Sequence, residues 1–265
     1  MSKYDDIIEK VFFNNYREGD QKVSFDRDEL VQAFDVLKIN RIKNLGDIPY
    51  TYRFRRDLPV TIKNKAPENS DWIIIGTGRG SYEFRQATPG KIEPSHNRQL
   101  IKILDATPEI VKRYAPGMDE QALLTKVRYN RLIDLFTGLT CYSIQNHLRT
   151  SIDTIGQIKI DEIYLGINKR GTHFVLPCQA KSPGDSFGIV QVMQDIEFCK
   201  IRYPNTIYKP IALQFLTENN VAILELSVEE DKDKFSLSVV EEKHYKLVSK
   251  NDISDQEIKN ICDQE

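Results

Sequence analysis

Asp161, Gln179 and Lys181 are the residues of this 265-residue chain whose types and spacing suit a chemical task. They lie in the segment 157–181, QIKIDEIYLGINKRGTHFVLPCQAK, where two apolar runs, Ile158–Ile167 and His173–Lys181, flank the polar stretch Asn168-Lys169-Arg170-Gly171-Thr172. That layout predicts a β-hairpin with a loop of four or five residues. Side chains alternate faces along a strand, so Gln179 and Lys181 point the same way. A five-residue loop sets Asp161 opposite Gln179, whereas a loop one residue shorter sets Cys178 there. In the first register a carboxylate, an amide oxygen and an ammonium converge on an otherwise apolar hairpin. Such a patch suits metal-assisted phosphodiester hydrolysis. The carboxylate, the amide oxygen and a main-chain carbonyl are hard ligands for Mg²⁺, a cation that keeps several waters. The metal lowers the pKa of a bound water, and the lysine orients that water and adds positive charge where negative charge develops. The plain alternative is a solvated Asp and Lys on a hairpin; the apolar neighbours favour the site.

Asp161, a hairpin turn and then Gln179-Ala180-Lys181 between hydrophobic strands resemble the signature of the PD-(D/E)XK nuclease superfamily, in its variant with glutamine in the middle acidic position. The resemblance covers about residues 125–228. It implies an α/β (α+β) core, with a mixed central sheet flanked by helices. It further implies that Asp161 and Gln179 hold Mg²⁺ together with the Ala180 carbonyl, and that Lys181 positions the nucleophilic water. Ile160 stands where the family usually has proline. Gln179 removes one negative charge from the metal shell and leaves open a relative that binds DNA without cutting it. In these nucleases an early helix often lends an acid. Asp134 is the candidate here, with a solvated helix carboxylate as the plain alternative. Glu162 faces the other side, toward solvent or another domain.

Several elements must position the hairpin. Residues 119–138 read as one helix with Leu123, Leu124, Val127, Leu132, Ile133 and Leu135 on its apolar face, ended by Gly138. Residues 139–150 form a strand or helix leading into the hairpin. After Lys181 comes a turn at 182–185. An amphipathic helix over 186–202 follows, with Ile189, Val190, Met193, Ile196 and Ile201 inward and Gln191, Gln194, Asp195 and Lys200 on its polar face. Strands follow at 206–216, 220–228 and 235–241. This order of sheet, helix, strand, strand is the one the nuclease core requires. Pro177 within a strand argues for a sheet edge or a bulge just before the ligands.

The N-terminal part reads as a helix over 4–17 and a second helix capped by Ser24. A basic stretch over 38–65 follows, forming a short helix or turn before a second one. A hairpin of Trp72–Ile75 and Tyr82–Gln86 comes next, around a glycine-rich turn carrying Arg79. Helices, a basic segment and a two-stranded wing resemble a winged-helix DNA-binding domain. That resemblance makes Arg41, Lys43, Arg53, Arg55, Arg56 and Arg79 the DNA-facing residues. The alternative is a small accessory domain without DNA contact. Gly76-Thr77-Gly78-Arg79-Gly80 lacks the spacing of a nucleotide-binding loop, and a strand follows it. Residues 87–120 read as a connector with a short helix at 99–104. The expected organisation is therefore a recognition domain over 1–88, a connector over 89–118 and a nuclease core over 119–265.

A net charge of −2 gives no bulk argument for nucleic acid, so the DNA reading rests on the local basic cluster and an acidic tail at 252–265. The four cysteines, Cys141, Cys178, Cys199 and Cys262, show no CxxC spacing and read as reduced thiols. The histidines are too scattered for a zinc site. No apolar run approaches the ~20 residues that cross a bilayer, and the acidic start MSKYDDIIEK has no apolar signal core, so a cytoplasmic location is expected. Taken together, these readings predict a Mg²⁺-dependent, sequence-specific double-stranded DNA endonuclease. Its simplest form is a homodimeric Type II restriction enzyme. A repair or defence nuclease, an inactive DNA-binding relative and an unrelated α/β protein are the alternatives.

Overall fold

A capping box formed by Ser2 and Asp5 starts α1 (Lys3–Asn15), and Ile7, Ile8, Val11 and Phe12 recur at helical spacing as its buried stripe. The computed structural model describes residues 2–114, 117–152, 156–232, 234–254, 256 and 257. After α1 come β1 (Lys22–Asp26) and α2 (Arg27–Val36). Ser24 does not cap α2. The alternation that buries Val23 and Phe25 keeps the chain extended through Asp26, and Asp26 is the cap, in a capping box with Glu29. α3 (Asp47–Phe54) and α4 (Val60–Lys63) follow, then the hairpin of β2 (Asp71–Gly78) and β3 (Ser81–Thr88). β1 and β2 flank β3, both antiparallel to it. Phe12 binds the helices to this small sheet, with edge-on ring contacts to Trp72 at 5.3 Å and Phe84 at 5.0 Å.

The connector contributes strands of its own, β4 (Lys91–Ile92) and β5 (Leu100–Leu104). The helix expected at 99–104 is therefore a strand, because a short apolar run takes whichever partner is offered. α5 (Glu109–Tyr114), α6 (Glu120–Tyr129) and α7 (Leu132–Thr137) come next. The single helix expected over 119–138 breaks at Arg131, which is left-handed at φ 52°, and Gly138 at φ 67° ends α7 as expected. Asp105 ties the connector to α6, accepting from Thr107 N at 2.9 Å and from Asn130 Nδ2 at 3.1 Å, with Lys112 Nζ at 2.9 Å. Burial works against its charge, but Thr107, Lys112 and Asn130 hold the carboxyl down to about 2. A depressed pKa contributes stability that is present above the ordinary carboxylate range and lost as pH falls. Asp105→Asn should therefore lower the melting temperature at pH 7. The gap to the parent should narrow as pH falls below about 4 and close near pH 2, which melts across pH would read.

The remaining strands are β6 (Thr140–Ile152), β7 (Gly156–Ile167), β8 (His173–Lys181), β9 (Phe187–Gly188), β10 (Ile207–Tyr208), β11 (Ile211–Thr217), β12 (Asn220–Asp231) and β13 (Lys234–Val248), with α8 (Ile189–Arg202) between β9 and β10. Among the described residues they build an 11-stranded sheet ordered β1-β3-β13-β12-β11-β8-β7-β6, with β2, β5 and β10 joining at β3, β13 and β8. α6 and α7 pack on Leu213, Phe215, Val221 and Ile223. α8 packs on the alternate residues Ala212, Ala222 and Leu224, so helices cover both faces of a mixed sheet. β8, α8 and β11 form a parallel crossover, Cys178–Lys181 lying beside Ile211–Gln214. Lys234–Ser236 of β13 runs parallel to Gln86–Thr88 of β3, which joins the N-terminal sheet to the larger one.

Pro177 lies neither at a sheet edge nor in a bulge of β8. It pairs with Ile163 on one side; on the other it falls between β10, which pairs at Phe174 and Val175, and β11, which starts at Cys178. Its missing N–H thus meets a gap in the neighbouring chain. Cys141, Cys178 and Cys199 are buried free thiols, and Cys262 lies outside the described residues, as does most of the acidic tail. No helix among the described residues is long and apolar enough to cross a membrane.

Candidate active site

The β7–β8 loop sets everything that follows. Asn168 Oδ1 accepts from Arg170 N and Thr172 N, both at 2.9 Å, and Gly171 N donates to Asn168 O at 3.0 Å. Gly171 takes φ 76°, a conformation glycine adopts without steric cost. The loop therefore spans five residues and fixes the register Ile167↔His173 through Glu162↔Cys178. The next position in that register sets Asp161 opposite Gln179. There the ladder ends, and the Asp161 side chain takes over from it: Ala180 N donates to Asp161 Oδ2 at 3.0 Å.

Asp161 is 2% exposed, and its Oδ1 accepts no hydrogen bond among the described residues. Only the Lys159 ammonium faces that oxygen, at 3.0 Å. Burial works against the Lys159 charge, but Asp161 and Glu120 outweigh it and raise its pKa. The Gln179 amide is fully oriented. Its Nε2 donates toward Lys159 O at 2.9 Å and the two Asp195 oxygens at 3.0 and 2.8 Å, while its Oε1 accepts from Gln191 Nε2 at 2.6 Å. Lys181 is half-buried and makes no hydrogen bond or ion pair among the described residues. Its charge stands close enough to Asp195 to act on that carboxyl.

The polar face expected on α8 turns inward. Asp195 and Gln194 are buried rather than presented to solvent. Burial pushes the Asp195 carboxyl well up, the Gln179 amide opposes this, and the negative charge of Asp161 adds to it. The Gln179 amide thus matters for the fold as well as for the site. Gln179→Glu would set an acceptor against Asp195 and Lys159 O and should destabilise the protein by about 2 kcal/mol. Adding Asp195→Asn restores a donor between the two side chains and should recover most of the loss. A thermodynamic cycle of the two single variants and the double variant reads this coupling.

Glu162 does not face solvent. It is 0% exposed, accepts from Ser143 Oγ at 2.5 Å and pairs with Arg128 Nε at 3.2 Å. Burial raises its pKa, with Ser143 and Arg128 opposing. Asp134 pairs with Arg131 and accepts from Cys141 N at 2.9 Å. It lines a separate cleft of about 250 Å³ with Arg128, Arg131, Tyr142, Ser143 and Tyr164, and has no link to Asp161. The early-helix acid beside the site is Glu120, in the first turn of α6, joined through Lys159 Nζ at 3.3 Å to the Asp161 group. Sequence reading passed over Glu120 because an acid in the first turn already suits the helix dipole.

The six basic residues divide. Arg41 pairs with Asp35 at 2.6 Å, and Arg56 with Asp5 at 2.6 Å. Arg55 is exposed, lies over the Tyr50 ring at 4.9 Å and faces Asp47 at 3.8 Å. Arg53 is half-buried against Phe54, and burial lowers its pKa. Lys43 and Arg79 are exposed and make no ion pair among the described residues.

Asp161 Oδ1, the Gln179 amide oxygen and the Ala180 carbonyl are hard oxygens on one short stretch of sheet. No three His, Cys, Asp or Glu side chains converge on a metal position among the described residues. The chain would thus offer one carboxylate and neutral oxygens, a donor set that Mg²⁺ accepts because it retains much of its water. The buried Asp161 Oδ1, which the Lys159 ammonium faces at 3.0 Å, would take such an ion in that ammonium's place. No family model, curated protein or solved structure matches the chain.

Proposed function

We propose that this protein is a Mg²⁺-dependent endonuclease of double-stranded DNA with a PD-(D/E)XK-type core, acting most simply as a homodimeric Type II restriction enzyme. One observation carries the reading. The buried Asp161 Oδ1 is faced only by the Lys159 ammonium, at 3.0 Å, where the β7–β8 ladder ends beside Gln179-Ala180-Lys181, on a sheet continued by the β8–α8–β11 crossover. Asp161, Gln179 and the Ala180 carbonyl would hold the metal, which supplies a water of lowered pKa and a counter-charge for the phosphate. Lys181 orients the attacking water, and its ammonium is not committed to another described residue. Asp195 holds the Gln179 amide in place. The order α1-β1-α2-α3-α4-β2-β3, with β3 between β1 and β2, supports a winged-helix reading of the N-terminal part, the short α4 standing before the wing.

The test is incubation of the purified chain with varied unmethylated DNA in Mg²⁺ or EDTA. Cleavage in Mg²⁺ alone is expected. Two symmetry-related sites cut both strands, so linear plasmid should appear; nicked circles as the sole product would contradict the dimer. Lys43 and Arg79 are the exposed cations of the N-terminal set without an ion pair among the described residues. Replacing both with glutamate should weaken DNA binding about tenfold or more at low salt and flatten its salt dependence. Gel-shift titrations at several salt concentrations measure both.

A second reading, a DNA-binding protein without cleavage, is favoured by the Gln179 amide, which Asp195, Gln191 and Lys159 already engage. Binding of duplex with no cleavage in any divalent metal would decide for it.

A further inference from the structure

The β6–β7 pair continues past the end of the β7–β8 ladder. β8 pairs with β7 over Glu162–Ile167, whereas β6 follows β7 down to Gly156, so Leu148–Ile152 and Gly156–Ile160 form a two-stranded ribbon leading out of the candidate site. Its two faces differ in kind. Leu148 opposes Ile160 and Thr150 opposes Ile158, and the apolar members pack with Phe198 and Cys199 of α8, which fixes the ribbon on the body of the protein. On the other face Arg149 opposes Lys159 and Ser151 opposes Gln157, all four exposed.

Two cations directly opposed across a strand pair repel each other. Lys159 is drawn to Asp161 and Glu120, while Arg149 makes no ion pair among the described residues. Arg149 is thus the cation of this face left to meet an anion, and the contact of Lys159 with Asp161 joins the face to the candidate site. A two-stranded ribbon has the width that a DNA major groove admits. Guanidinium and carboxamide groups are also the side chains that pair bidentately with guanine and adenine there.

We propose that the paired segments Leu148–Ile152 and Gly156–Ile160 are a DNA-reading arm whose polar face lies in the major groove next to the cut phosphate, with Arg149 and Gln157 as its base-reading side chains. This rests on the nuclease reading and adds a second source of sequence selectivity to the N-terminal basic residues. The arm is held by its apolar face, so its polar face meets the duplex preformed.

The experiment compares the full-length parent, Arg149→Ala and Gln157→Ala on a library of duplexes, with cleavage read in Mg²⁺ and binding read in Ca²⁺. Both side chains are exposed, and unchanged melting temperatures confirm intact folding. Each substitution should slow cleavage of the preferred sequence about 10- to 100-fold and relax discrimination at one base-pair position. A parent that cuts selectively, with both variants cutting the same sequences at the parent rate, overturns the arm and leaves the nuclease reading standing. A parent that binds duplex without cutting overturns the nuclease reading. The Ca²⁺ binding preferences then judge the arm, which falls if both variants keep the parent's selectivity. A parent that neither binds nor cuts any duplex overturns both.

Discussion

Lys181→Ala should reduce cleavage at least ~10³-fold while leaving duplex binding in Ca²⁺ within about twofold of the parent. The separation follows from position. Lys181 is half-buried and holds no described partner in the resting fold, so its removal takes away charge and orientation only during reaction. Asp161 is a different case, because its Oδ2 also accepts from Ala180 N where the strand ladder ends. Asp161→Ala therefore confounds metal binding with strand geometry. Asp161→Asn keeps an acceptor for Ala180 N but gives up the carboxylate that faces Lys159 at 3.0 Å, so it should lose cleavage as fully as the lysine variant with a smaller loss of stability than Asp161→Ala. Single-turnover rates beside melting curves separate the two effects. Parent-like cleavage in both Lys181→Ala and Asp161→Asn would remove this hairpin from the chemistry.

The largest expected effect on stability lies one residue away, on the other side of the sheet. Glu162 is buried, and Arg128 is its cationic partner. Removing one member of a buried ion pair leaves a desolvated charge and typically costs 3–5 kcal/mol. Arg128 is 36% exposed, so water reaches part of the pair, and about 2–3 kcal/mol is the expected loss for Arg128→Ala. For a chain of this size that is a fall of about 5–10 °C in melting temperature. Replacing both partners by apolar residues, Arg128→Met with Glu162→Leu, should cost much less, since no charge is then left behind. Calorimetry on the two variants reads the difference. Equal losses in the single and double variants would show that packing, not charge, is what Arg128 contributes.

The hairpin was legible because several local signals agreed. Apolar runs of strand length, a polar loop between them and a period of two gave the hairpin, while the choice of Gln179 or Cys178 opposite Asp161 rested on a loop length that the Asn168 and Gly171 turn sets at five. The crossover was legible for a related reason, since the 186–202 segment is amphipathic and apolar strands follow it. What the sequence hid were buried polar groups. Asp195, Gln194 and Glu162 are polar, and pattern reading sends polar residues to solvent unless a partner from a distant element is known. Gln179 is the partner of Asp195, Ser143 and Arg128 are those of Glu162, and Gln194 Nε2 donates to Gln157 O at 3.5 Å; none is a sequence neighbour of the group it satisfies. Counting charges in the 38–65 stretch failed in the same way, because Asp5 and Asp35 lie outside it and take up Arg56 and Arg41. The strand at Leu100–Leu104 exists because the far end of β13 lies beside it, a long-range pairing that no local window reports.

The most direct test of the central claim is a count of Mn²⁺ bound per chain, by calorimetry with duplex present. It compares the cleavage-deficient Lys181→Ala protein with the same protein also carrying Asp161→Asn. A metal site built on the Asp161 carboxylate predicts saturable binding in the first and its loss in the second, with both proteins folded at the assay temperature. Equal Mn²⁺ binding in the two proteins, or none in either, would contradict it.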